Sequence, residues 1–162
     1  MIYLRSGDAF AGDGGSGLFV QPPVSFYRAV VKRRAWKQIV VVTDHSDATL
    51  VNPVLGMQTR EWPAIEEARA SLTDDVATLI AASNIVSARS TLLDSLLLIG
   101  DRKTCAYLPA CEGHEEERSA GGVFYTMDGY TVQGTWSNSA AQRHAMLAYE
   151  GLGEGRVWGS GC

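Results

Sequence analysis

Short unbroken apolar runs alternate along this chain with stretches whose apolar positions fall three and four residues apart, which predicts strands and helices in turn. Ile2-Tyr3-Leu4 is the first run, a short strand with Arg5 at its C-terminal end. Ser6 to Pro23 reads as a long loop carrying Gly12, Gly14, Gly15 and Gly17. Val24, Tyr27, Val30 and Val31 then recur at helical spacing and predict an amphipathic helix over 24–35. Pro22-Pro23 suits its entrance, where a missing N–H costs little. Ile39-Val40-Val41-Val42 is a continuous β-branched run, the pattern of a strand covered on both faces in a parallel sheet. Asp44-His45-Ser46-Asp47 closes it as a loop.

Further on, Asn52-Pro53-Val54-Leu55 predicts a helical turn, and 57–70 has no deciding periodicity. Ser71 begins a helix that runs to about Ala82, with Ser71 and Asp74 in a capping relation and Leu72, Val76, Leu79 and Ile80 as its apolar face. Ile85-Val86-Ser87 predicts a strand, Ser90-Thr91 the opening of a helix over Leu92 to Ile99, and Cys105 to Leu108 another strand. This succession predicts an α/β fold, a Rossmann-like parallel sheet with helices on both faces, over residues 1–109. Residues 110–122, with Glu112-Gly113-His114-Glu115-Glu116-Glu117 and Gly121-Gly122, read as an acidic, glycine-rich linker. Residues 123–162 form an extension, with an aromatic hairpin over 123–137 and a closing helix from Ser139 to Tyr149. Ala140, His144, Leu147 and Ala148 are the expected packing face of that helix.

The composition fits one globular domain: 162 residues, 46% hydrophobic and 20% charged. A chain of this size buries roughly 68–70% of its unfolded surface and needs no covalent staple. The net charge of -4 argues against nucleic acid as a partner, because such proteins carry a basic footprint. The dense basic run Lys32-Arg33-Arg34 reads as a solvated helix end. Of the three cysteines, Cys105 and Cys111 could pair and Cys162 is left over, so free thiols are the expectation over a disulfide framework. The opening MIYLRSGD lacks the basic-then-apolar lead of a signal peptide, and no apolar run approaches the roughly 18 residues of a membrane span.

Open α/β sheets bind ligands beyond the C-terminal ends of their strands. Arg5 and Asp8 follow the first strand, Asp44 and His45 the second, and Ser90 and Thr91 the third. A helix N-terminus presents free N–H groups and partial positive charge, so anions settle there, and an arginine can add a two-pronged contact. Arg5 with Ser90-Thr91 is therefore a candidate diphosphate clamp. The plain alternatives are an N-cap for Ser90 and a surface ion pair with Asp8 for Arg5. Other signals carry less. His114 with Glu115 to Glu117 lacks H-E-x-x-H spacing, the glycine loop is not a P-loop, and without G-x-S-x-G the types Ser90, His45 and Asp75 make no hydrolase triad.

Three segments resemble the fucosyltransferase superfamily, which includes the α-1,2-, α-1,6- and protein O-fucosyltransferases. Ile2-Tyr3-Leu4-Arg5-Ser6-Gly7-Asp8 is similar to its H-x-R-x-G-D opening. Gln21-Pro22-Pro23-Val24-Ser25-Phe26-Tyr27 is similar to a Q-P-P-x-x-x-Y stretch of related proteins. Ser71 to Val76, Ala82 and Ser90-Thr91-Leu92 resemble the second signature. Coverage is residues 1 to 109, with a less specific match at Trp136-Ser137-Asn138, Gln142 and Tyr149. The resemblance implies the donor lobe of an inverting, metal-independent GT-B glycosyltransferase that needs no cofactor beyond its GDP-sugar, GDP-fucose or a relative. Arg5, Ser90 and Thr91 would hold the diphosphate, Asp8 would shape the loop, and Asp75, with Asp74 as rival, would read guanine. The acceptor would be a glycan or protein, and the compartment Golgi or cytoplasm. Tyr3 stands where the motif has His, Leu92 where it has Phe, and the acceptor lobe is absent from the chain. That leaves a fragment, a partner that supplies the lobe, or a domain that binds nucleotide without transfer.

Overall fold

A computed structural model describes residues 1–4, 21–43, 54, 65–68, 71–88, 90–99, 105–110, 122–127, 130 and 139–158. The elements are β1 (Ile2–Leu4), α1 (Val24–Lys32), β2 (Ile39–Thr43), β3 (Ile65–Ala68), α2 (Leu72–Ala81), β4 (Asn84–Ser87), α3 (Thr91–Ile99), β5 (Cys105–Ala110), β6 (Gly122–Thr126), α4 (Ala140–Ala148) and β7 (Gly155–Trp158). They form one seven-stranded sheet in the order β3-β2-β1-β4-β5-β6-β7. Strands β1 to β6 run parallel, and β7 pairs antiparallel to β6 at the edge. The α/β, Rossmann-like expectation holds.

Strand alternation decides which side chains meet which helices. Ile2, Leu4, Ile39, Val41, Val86, Cys105, Tyr107, Val123 and Tyr125 face one side, where they pack with Val24, Phe26, Tyr27, Val30 and Val31 of α1 and Met146 of α4. Tyr3, Val42, Ile85, Ala106, Leu108 and Phe124 face the other side, with Leu79 of α2 and Leu93 and Leu96 of α3. Each central strand is therefore apolar on both faces, as the run Ile39 to Val42 foretells. Gly122 opens β6 because a Cβ there would lie 2.7 Å from the backbone oxygen of Ala106.

Several expectations need correction. The stretch 57–70 contains β3, whose sequence Ile-Glu-Glu-Ala has a single strong strand former. Charged residues of this kind are common on edge strands, and β3 is an edge. The antiparallel partner of β6 is β7, reached only after α4, and not the next segment of a local hairpin. In α2, Leu79 is buried but Leu72 is 72% exposed and Ile80 is exposed too. In α4, Met146 turns inward while His144 and Leu147 are exposed, so the face expected from Ala140, His144, Leu147 and Ala148 is not the packed one. Both helix starts were legible. Ser71 Oγ accepts from the Asp74 N–H at 3.3 Å, and Ser139 forms a full capping box with Gln142. Among the described residues, no helix is long and apolar enough to cross a membrane.

Cys105 is disulfide-bonded, against the free-thiol expectation. It opens a strand that runs extended to Ala110, which separates those two Cα atoms by roughly 16 Å. Peptide mapping without reductant is expected to recover Cys105 in a disulfide-linked peptide, and a free Cys105 thiol would show that the bridge does not form.

Candidate functional site

Parallel strands bring their C-terminal ends to one edge, and the order of this sheet creates a switch point there. From β1 the chain leaves through α1 on one face towards β2. From β4 it leaves through α3 on the other face towards β5. β1 and β4 lie side by side, with Ile2 opposite Val86 and Tyr3 opposite Ser87. Helices that depart to opposite faces from adjacent strands leave a crevice between their starts, where such sheets take ligands. The N-termini of α1, α2 and α3 all lie along this edge, because each helix follows the C-terminal end of a parallel strand.

The site residues expected from the sequence fall unevenly on this frame. Arg5 and Asp8 lie outside the described residues, as do Asp44, His45 and His114. Ser90 is the N-cap of α3. Its buried Oγ accepts from the Leu93 N–H at 3.1 Å, and its carbonyl accepts from the Asp94 N–H at 3.0 Å. That is the plain reading of Ser90, and it leaves the hydroxyl proton able to donate. Thr91 is the exposed first residue of the helix. At the start of α2, exposed Asp74 accepts from the Ser71 hydroxyl at 2.7 Å. Asp75 is half-buried, and its N–H donates to the Ser71 carbonyl at 2.9 Å. Asp74 is thus committed to its own cap. Tyr3 lies in the core on the α2/α3 face, only 8% exposed.

Sequence reasoning missed two features. Asp94 sits in the first turn of α3, where its negative charge already uses part of the helix field that an anion would feel. α1 carries the opposite arrangement. Its N-cap is Pro23, which makes no side-chain cap, and its first turn holds no acid. Ser25 Oγ and Tyr27 Oη on this helix are buried without a hydrogen-bond partner. Beside them, Tyr130 donates to the Gln21 carbonyl at 2.9 Å. Burial pushes the Tyr27 phenol far above its usual pKa, with Tyr130 adding to the shift, so it stays a neutral donor. The available signal was a serine on an otherwise apolar, inward helix face, since a buried polar residue is the informative exception.

At the opposite edge of the sheet lies a cleft of about 490 Å³ lined by Arg34, Trp36, Lys37 and Asn84 among others. The Arg34 guanidinium rests 4.3 Å over the Trp36 ring and donates to Asn84 Oδ1. These contacts pin the end of α1 to β4, and the cation is occupied within the fold. Among the described residues, no group of three or more His, Cys, Asp or Glu could hold a metal ion. Comparison with family models, curated proteins and solved structures returns no match.

Proposed function

We propose that this chain binds a nucleoside diphosphate sugar, a GDP-sugar of the GDP-fucose kind, as the donor half of an inverting glycosyl transfer. The observation that carries the reading is the switch point between β1 and β4, on the sheet edge along which the helix N-termini lie. Ser90 and Thr91 stand at one of those N-termini and Asp75 at another, on the same face of the sheet. Arg5 follows directly on β1 in the sequence. In this reading Arg5 and the start of α3 hold the diphosphate while Asp75 accepts from the guanine N1–H and amine. The leaving diphosphate gains charge in the transition state, and fixed donors aimed at it supply the kind of stabilisation that matters most there.

A second reading, nucleotide binding without transfer, is favoured by Tyr3. The resembling motif has His at this position, and here the side chain is buried with Val42 and Leu79. It offers no acid or base to the crevice. The acceptor and its base would come from a separate lobe.

Calorimetric titration with GDP, GDP-fucose, UDP and ADP tests both readings. GDP is expected to bind more tightly than UDP or ADP. Arg5→Ala is expected to weaken all of them about 10- to 150-fold, the loss of a charge-assisted contact worth about 1.5–3 kcal/mol. Asp75→Ala should narrow the gap between GDP and ADP, because adenine presents a lone pair where guanine presents a donor. Equal wild-type affinity for GDP and ADP would remove the guanine assignment.

A further inference from the structure

We propose that the N-terminus of α1 is an anion seat, built to take a phosphate or diphosphate on the first-turn N–H groups, the Ser25 hydroxyl and the Tyr27 phenol. This deepens the function proposed above, on which it rests, by assigning phosphate contacts to residues outside the resembling Arg and Ser-Thr positions.

Two independent observations meet at this point. First, the early N–H groups of a helix lack intrahelical partners: the Phe26 N–H is taken by the Pro23 carbonyl at 3.0 Å, but Pro23 brings no side-chain acceptor to the start of α1. The other two helix starts on this edge are differently equipped. Ser71 caps α2, whose first turn holds Asp74 and Asp75, and Ser90 caps α3 ahead of Asp94. Second, Ser25 and Tyr27 are 7% and 0% exposed, and their oxygens have no hydrogen-bond partner. Helical side chains lean towards the N-terminus of their helix, so Ser25, the second residue of α1, leans towards its buried start. A buried polar group left unsatisfied costs folding free energy, and such groups persist where a ligand completes them.

The chemistry of the seat is donor-rich. It combines amide N–H groups, a hydroxyl that can rotate, and a phenol held neutral by burial. All three favour an acceptor with several oxygens and negative charge. The helix field adds to this, as it does wherever phosphate meets a helix N-terminus.

Inorganic pyrophosphate is the probe, titrated calorimetrically into the full chain and into Ser25→Ala and Tyr27→Phe, with thermal melting of all three. Each substitution is expected to weaken pyrophosphate about tenfold or more, while the melting temperature without ligand holds or rises, because no protein hydrogen bond is lost. A structural role, such as binding a trapped water, gives the reverse pattern: a lower melting temperature and unchanged pyrophosphate affinity. That pattern, or a wild-type chain indifferent to pyrophosphate, overturns the proposal. GDP titrations separate its fate from the parent reading. If Arg5→Ala and Ser90→Ala weaken GDP while Ser25→Ala and Tyr27→Phe do not, the seat fails and the nucleotide reading stands. If pyrophosphate binds through Ser25 and Tyr27 with no preference for GDP over ADP, the seat stands and the guanine assignment fails.

Discussion

Phe26→Ala is expected to destabilise the fold by about 3–5 kcal/mol, the usual cost of emptying a buried phenylalanine site. Phe26 is fully buried. Its ring meets Tyr27 edge-on at a centroid distance of 5.1 Å and Tyr125 of β6 at 5.6 Å. Each such aromatic pair contributes about 0.5–1.5 kcal/mol beyond simple area burial. Phe26 thus couples the first turn of α1 to the sheet, and its removal should loosen the helix start on which Ser25 stands. Urea denaturation of the variant reads the loss as a lower midpoint at unchanged slope. Leu147→Ala, on a side chain 45% exposed, is the control and should stay within about 0.5 kcal/mol of wild type. A Phe26→Ala cost similar to that of Leu147→Ala would mean that α1 does not pack as described.

The second large effect lies at alkaline pH. Burial raises the pKa of Tyr27, with Tyr130 contributing, and burial raises that of Tyr130, with Tyr149 contributing. In the unfolded chain both phenols ionise near about pH 10. Between that value and the raised folded values, the unfolded chain releases protons that the folded chain retains, so stability falls as pH rises. These two groups give a limiting slope of about 2.7 kcal/mol per pH unit, and Tyr125, whose pKa burial also raises, adds to it. Below about pH 10 none of the three contributes to the pH dependence. Denaturation midpoints at pH 9, 10 and 11 should therefore be flat and then steep. Tyr27→Phe should remove about 1.4 kcal/mol per pH unit of that slope and leave the other alkaline titrations in place. An identical alkaline slope in Tyr27→Phe and wild type would show that the Tyr27 phenol is accessible to solvent.

The parts of the fold legible in the sequence are those where one face or run is unambiguous. Val24, Tyr27, Val30 and Val31 mark α1 because all four turn inward, and Ile39 to Val42 marks a central strand because both its faces are covered. β3 was hidden because Glu66 and Glu67 interrupt any apolar signal. The apolar faces of α2 and α4 were misjudged by periodicity alone. Leu72 belongs to the first turn of α2, where an apolar residue at the right interval still meets solvent. In α4, spacing cannot separate Met146 from its neighbour Leu147, since only the position of the sheet decides which of them it covers. The site divides in the same way. Strand ends and helix starts can be read along the chain, so Ser90, Asp74 and Asp75 were identifiable as groups at helix N-termini. The isolation of the Ser25 and Tyr27 oxygens could not be read, because lacking a partner is a property of everything folded around them.

β1 is made before every other strand of this sheet and ends up in its interior, with β2 on one side and β4 on the other. Its β4 neighbour comes much later in the sequence: the Met1 amine donates to the Asn84 carbonyl 83 positions away. At the ribosome's about 5–20 residues per second, β1 spends roughly 4–17 s without that partner. During this interval the bare edge of a fully apolar strand is open to pairing with other chains, a risk intrinsic to distant parallel pairings. Nascent chains arrested before residue 84 should therefore depend on chaperones, whereas chains released after all seven strands should not. The switch point between β1 and β4 has the same history, because one of its strands is made long before the other can dock.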